Sequence, residues 1–249
     1  MDGIDLGGHD LALRVLVGSH NYNLNTPQSD VDYKYFVWPT FDDLLSGKKF
    51  HKDVTSADMD YTVHDVRNLP DLFRKGNLNF LEILYSIRTT GDPDLCFYLK
   101  EHAHELSTSN IPVMYKACIG MSFEKEKLMT KDSPGRHESI AKYGYDVKSA
   151  HHALRVLDFL VRFHGTCRHG YDFKEAIWYD DGDLSRNCLL RVKNGEFSYD
   201  TVKADINDFR AMCEGYRSYY ERELPNMEPY ENLLEAINEM IKARLVKSY

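Results

Sequence analysis

The sequence predicts an α+β protein, a mixed sheet with helices in the N-terminal part followed by a mainly helical C-terminal part. Three observations predict this class. Leu11–Val17 is a short apolar run that stops at Gly18-Ser19, as a buried strand does. Asp30-Val31-Asp32-Tyr33-Lys34-Tyr35-Phe36-Val37-Trp38 begins in polar–apolar alternation, is rich in aromatics and is stopped by Pro39, which reads as a second strand. From Val66 onward the apolar spacing switches to the helical period.

The remaining elements follow in order. Residues 20–29 are rich in Asn, Pro and Ser and form a loop between the first two strands. Residues 57–64 read as a third strand. Leu69, Leu72 and Phe73, then Phe80, Leu81 and Leu84, mark helices broken at Gly76-Asn77. Further helices are expected over 94–105, 111–127, 145–164, 200–222 and 228–246. Asn194-Gly195 is a turn flanked by Leu189, Leu190, Val192 and Phe197, which fits either a small hairpin or a loop between helices. The change of pattern sets an expected boundary near residue 110, dividing 1–110 from 111–249.

The chain has 249 residues, 43% hydrophobic and 28% charged, a globular profile with enough length to bury a core without disulfide or metal staples. A formal net charge of -8 excludes a general cationic coat for nucleic acid and leaves room only for a local basic patch. Five scattered cysteines with no C-x-x-C pair point to a reducing compartment. The acidic, polar start does not resemble a signal peptide, and no stretch approaches 18 apolar residues. A cytoplasmic protein with no membrane partner is expected. The histidines show no metal-ligand spacing, so no zinc site is assigned.

The chemistry concentrates in two places. In strand geometry Asp30 and Asp32 share a face, with Val31 turned toward the core. Two adjacent carboxylates repel each other and are tolerated when a divalent cation lies between them. Magnesium, or manganese in its place, suits such oxygen ligands and also bridges substrate phosphates. Gly18 permits close backbone approach, and the Ser19 hydroxyl can hydrogen-bond a phosphate. A solvated, idle surface turn is the alternative, and the order strand, Gly-Ser, loop, Asp-x-Asp weighs against it. His20, a lone loop histidine, is assigned no catalytic role.

The second place is the helix over 145–164. Lys148, His152, Arg155, Phe159 and Arg162 share one face, and Ala150, Leu154, Leu157, Leu160 and Val161 form a core stripe opposite. The cationic row is a candidate phosphate-binding surface, with Arg162 beyond the cleft, and the alternative is a solvated helix face.

Gly18-Ser19-x10-Asp30-x-Asp32 resembles the defining motif of the DNA polymerase β nucleotidyltransferase superfamily. The string from Gly18 to Tyr33 resembles one branch of it, the predicted nucleotidyltransferases associated with RNA ligase and RNA repair, which read roughly G-S-x-A-Y-G-L-x-T-P-x-S-D-x-D. Asn21 stands where that branch often has Ala, and Asn23 where it often has Gly. The second difference bears on the loop conformation, because Asn adopts left-handed geometry less freely than Gly. Lys75-Gly76-Asn77-Leu78-Asn79-Phe80-Leu81-Glu82 is similar to a K-G-N-P-N-x-L-E segment of the branch. Lys142-Tyr143-Gly144-Tyr145-Asp146-x-Lys148 with His152 and Arg155 is similar to K-x-x-Y-D-x-K-x-x-x-H-x-x-R, and Arg191-Val192-Lys193-Asn194-Gly195-Glu196 to I-R-x-G-E.

The resemblance implies a polymerase β-like fold with a third carboxylate on a neighbouring strand. Asp60 is the choice and Asp58 the fallback. Asp30, Asp32 and Asp60 would be catalytic metal ligands. Gly18, Ser19, Lys148, His152 and Arg155 would bind nucleotide. The implied activity is magnesium-dependent transfer of a nucleoside monophosphate from a nucleoside triphosphate, ATP included, to an acceptor hydroxyl on RNA. The alternatives are nucleotidyl modification of a protein partner, as in toxin–antitoxin pairs, and a catalytically silent nucleotide-binding module. Asn77 and Glu82 carry the resemblance without a chemical argument, and helix capping or packing is expected of them.

Overall fold

Leu11–Val17 forms strand β1, buried along its length apart from the partly exposed Leu11 and Arg14. It runs antiparallel to β2 (Asp32–Val37) on one side and to β5 (Thr89–Gly91) on the other. Beyond β2 lie β4 (Asp60–Asp65), parallel to it, and β3 (His51–Thr55), antiparallel to β4. The mixed sheet therefore has the order β3-β4-β2-β1-β5. The computed structural model describes residues 4–55 and 60–247.

β1 reads as an unbroken apolar run because it is central and covered on both faces. One face packs into the main core through Ala12, Leu13, Val15 and Phe36. The other carries a smaller cluster of Tyr35, Val37, Tyr61 and Val63. β2 starts at Asp32, so Asp30 and Val31 lie before the strand, and Val31 is 52% exposed instead of facing the core. The i, i+2 rule fails there because Asp30 and Val31 have no ladder partner to hold them extended. The third strand expected over 57–64 is β4, of which residues 57–59 lie outside the described residues. β3 and β5 were not anticipated: one is polar, the other only three residues long.

The helices are α1 (Phe41–Ser46), α2 (Leu69–Arg74), α3 (Leu78–Leu81), α4 (Pro93–Glu101), α5 (Ala103–Thr108), α6 (Ile111–Leu128) and α7 (His137–Tyr143), then α8 (Val147–Gly165), α9 (Phe173–Ile177), α10 (Leu184–Lys193), α11 (Tyr199–Gly215), α12 (Arg217–Glu221) and α13 (Glu228–Lys247). The break at Gly76-Asn77 falls between α2 and α3, where Gly76 sits at φ +63° and a Cβ would strike the Met114 backbone at 2.5 Å. Asn194-Gly195 is a loop between helices, not a hairpin. The helix expected over 94–105 divides at His102, and that over 200–222 at Tyr216.

α8 is the centre of the helical part. Asp146 caps it by accepting from the Ser149 N–H at 3.0 Å, and α6, α9, α10 and α11 surround it. Burial therefore reaches the supposed polar face, where Arg155 and Phe159 are 1% exposed. Periodicity along one helix shows which residues share a face but not how many neighbours cover it. Residue 110 lies in the turn between α5 and α6, the buried cluster continues through both sides of it, and α13 returns to pack on α2, α4 and α5.

Candidate active site

The turn after β1 sets the geometry. Gly18 has φ +73°, and a Cβ there would lie 2.8 Å from Asp32 Oδ2. Only glycine lets the backbone meet that carboxylate so closely. The Gly18 N–H donates to Glu82 Oε2 at 3.1 Å. Glu82 is 2% exposed and also lines the cleft. Burial pushes its carboxyl above the usual carboxylate range, against the lowering pull of Lys34 and Arg155 and of the bond from Gly18.

The loop from Ser19 to Ser29 is tied down on both sides. Asn21, where the branch often has Ala, donates to the Glu82 carbonyl at 3.2 Å and accepts from the Ile87 N–H at 3.0 Å. Asn23 takes φ +64°, the left-handed conformation natural to the glycine it replaces. Its side-chain amide donates to the Tyr179 carbonyl at 2.8 Å, and its own carbonyl accepts from Arg186 Nε at 2.8 Å. These bonds hold the strained residue, so the loop keeps its shape. His20 bonds the Ser29 carbonyl at 3.2 Å and so braces the loop.

A cleft of about 710 Å³ opens over this turn. Gly18, Ser19, Asp30 and Asp32 line it from the sheet side, Lys148 and His152 from α8. Six of the eight expected site residues thus converge on one cavity. Of the other two, Asp60 begins β4. The β2–β4 register pairs Lys34 with Thr62, and carried two residues back it sets Asp60 beside Asp32 on the neighbouring strand. The Asp60 side chain and all of Asp58 lie outside the described residues. Among the described residues no three His, Cys, Asp or Glu side chains are grouped to hold a metal.

Arg155 departs from the expectation of direct phosphate contact. It is 1% exposed, its guanidinium lies 4.4 Å from the centre of the Tyr22 ring, and Nη2 donates to Asn79 Oδ1 at 3.3 Å. Tyr22 and Asn79 line the cleft, so Arg155 supports that wall from behind. Arg162 is no free helix face either: it pairs with Asp183, donates to the carbonyls of Glu175, Ala176 and Trp178, and covers the Tyr179 ring.

Sequence reasoning missed four contributors. Lys34, Lys142 and Lys193 join Lys148 in the lining, and His151 lies beside His152. Lys193 is placed by donating to the Leu24 carbonyl at 3.1 Å and to Ser29 Oγ at 2.7 Å. Burial and neighbouring Lys148 lower its pKa, while Asp32 and Asp30 raise it, so this ammonium lies in the field of both carboxylates. His151 is 2% exposed, and its Nε2 is buried with no hydrogen-bond partner. Burial and the adjacent cations push His152 down to about 3 and hold His151 neutral as well. Lys142 and Lys193 sit inside segments that carry the family resemblance, which was the available signal for them. For Lys34 there was none beyond its place in β2.

The site thus sets a carboxylate pair and a glycine turn against four lysines. No curated protein matches the chain. Residues 6–204, most of its length, match the RNA repair pathway DNA polymerase beta family, RlaP, and the chain belongs to that family, a polymerase β-like nucleotidyltransferase of the RNA repair branch.

Proposed function

We propose that the protein transfers a nucleoside monophosphate from a nucleoside triphosphate to a hydroxyl of RNA, with Asp30, Asp32 and Asp60 holding magnesium or manganese. The observation that carries this reading is the convergence of Gly18-Ser19, Asp30 and Asp32 with Lys34, Lys142, Lys148 and Lys193 on a single cleft. An anionic triphosphate entering there meets four lysines beside the carboxylates.

The donor set is made of carboxylate oxygens, which fits a hard divalent cation and not zinc. Polymerase β-like nucleotidyltransferases generally use divalent metals. Such an ion would stabilise charge on the transferring phosphate and lower the pKa of the attacking hydroxyl. The protein's own groups do the positioning. Ser19 offers a hydroxyl to a phosphate oxygen, and Lys148 and Lys193 neutralise the leaving pyrophosphate. Neutral His151 and His152 present hydrogen-bonding nitrogens without adding charge. The acceptor oxygen attacks the α-phosphorus, its bond to the β-phosphate bridging oxygen breaks, and the acceptor proton leaves to solvent or a carboxylate.

The test is incubation with each of the four labelled nucleotides, magnesium and either total RNA or total protein. Label transferred to RNA supports the proposal. Label found only on protein redirects it to a protein acceptor, and nucleotide binding without transfer in every mixture refutes catalysis.

A further inference from the structure

The nucleotidyl-transfer reading leaves open how an acceptor strand reaches the cleft. A second cavity, of about 250 Å³, adjoins it, and Lys148 and His152 belong to the walls of both. The smaller cavity adds Lys125 from α6 and Arg136 from the turn before α7. Asp146 is the one carboxylate in its lining, and that group is engaged in capping α8 through the Ser149 N–H and hydroxyl. Among the described residues the carboxylate partner of Lys125 is a distant one, Glu124 at 3.9 Å. Among the described residues no carboxylate forms an ion pair with Arg136, whose Nε donates to the Lys131 carbonyl at 2.8 Å.

The charged groups acting on His152 are Arg155, Lys125, Lys148 and Lys193. A chain of formal charge -8 would not gather cations on one continuous wall for solubility, where mixed signs serve. A run of cations leading out of a catalytic cleft complements a backbone with one phosphate per nucleotide. A protein acceptor presenting one hydroxyl has no such repeating charge.

We propose that Lys148, His152, Lys125 and Arg136 form a track for a single-stranded RNA acceptor, whose terminal hydroxyl lies in the cleft while the preceding phosphates cross Lys148 and enter the Lys125–Arg136 cavity. This rests on the nucleotidyl-transfer reading for the cleft, and its test turns on Lys125 and Arg136, which lie outside that cleft.

The experiment measures binding of a short, fluorescently labelled single-stranded RNA by anisotropy across a salt series. It compares the wild type with Lys125→Glu/Arg136→Glu, with the milder Lys125→Gln/Arg136→Gln, and with Lys116→Glu, an exposed reversal on α6 that lines neither cavity. The double reversal is expected to weaken RNA binding at low salt by at least about tenfold, and to flatten the salt dependence by about 1.4 units of slope, since two phosphates lose partners at ~0.7 each. The glutamine pair should fall between, and Lys116→Glu should bind as the wild type. Affinity for a fluorescent nucleoside triphosphate should be the same in all four, which separates loss of the track from loss of the fold. Unchanged RNA affinity and slope in the double reversal overturns the track, as does a wild type that binds no RNA. RNA binding that depends on Lys125 and Arg136 in a protein that transfers no nucleotide upholds the track and refutes the catalytic reading instead.

Discussion

The two walls of the cleft are built in opposite ways. The acidic wall comes from one stretch, Gly18 to Asp32, in which a strand end, a braced loop and the next strand bring the carboxylates back over the turn. The basic wall is assembled from Lys34 on β2, Lys142 on α7, Lys148 on α8 and Lys193 at the end of α10. A group of local origin is close in sequence before the chain folds, and distant residues only brace it. A group drawn from four elements exists only once those elements have packed. Removing one residue should therefore be severe and specific on the first wall, and graded on the second.

The largest effect is expected of Asp32→Ala, with Asp30→Ala as its companion. Loss of either carboxylate proposed to hold the metal is expected to reduce transfer by about 10³-fold or more. The fold should hold, because relief of repulsion between the two carboxylates offsets the attraction to Lys193 that is lost. Single-turnover assays beside thermal melts check both halves. Near-normal transfer by either variant would remove the acidic wall from the reaction.

Arg155→Leu should have the next largest effect, and of a different kind. Its guanidinium supports Tyr22 and Asn79 from behind and lies in the field of buried Glu82, so removal empties a buried space and leaves that desolvated carboxyl with Lys34 as its nearby cation. A loss of stability of about 3 kcal/mol is expected in denaturant unfolding. Arg155→Lys should recover only part, since an ammonium cannot both cover a ring and reach the amide. Weakened nucleotide binding at unchanged stability would move Arg155 to the cleft surface instead.

Lys193→Ala should weaken nucleotide binding by roughly 10- to 100-fold, the scale of ~1.5–3 kcal/mol for a hydrogen bond to a charged group. Lys148→Ala should do so less, because Lys148 is exposed. If the two are equally harmless, the basic wall is only scenery around the carboxylates.

Acidity acts on the histidines of the basic wall and of β4. Burial first, and neighbouring charge second, push His64 down to about 4, His152 to about 3 and His151 well below its ordinary value. A folded-state pKa below the unfolded one makes the neutral form part of the native state. The stability it brings is present above the unfolded value near 6.5 and is lost as pH falls toward 3 to 4. Replacing both His151 and His152 by Gln should flatten the fall in melting temperature on the acid side. An unchanged pH profile would show that water already reaches these rings. Ser19→Ala is the smallest change, a severalfold rise in nucleotide Kd for the loss of one hydroxyl hydrogen bond of about 1 kcal/mol. An unaltered Kd would take Ser19 out of phosphate binding.

Much of this was legible beforehand because it is local. β1, the glycine turn, the break at Gly76-Asn77 and helices α6, α8 and α13 follow from runs, periods and turn residues within a few positions of one another. Where neighbours far along the chain decide the outcome, the pattern misled. Val31 is solvated since no ladder reaches it, and α8 is enclosed by other helices rather than half-wet. Asn23 keeps the backbone shape of glycine because Tyr179 and Arg186 hold it there.

By itself the sequence determined the strand–turn–strand unit with its glycine and carboxylates, since hydrogen-bond ladders and turn chemistry act over short stretches. Only the tertiary structure decided which cations meet those carboxylates, that Arg155 lies behind the wall while Lys193 lies in it, and that Glu82 sits buried under Gly18. The physical reason is that burial and electrostatics depend on distance in space, and residues such as Ser29 and Lys193, 164 positions apart, become neighbours only when the core closes.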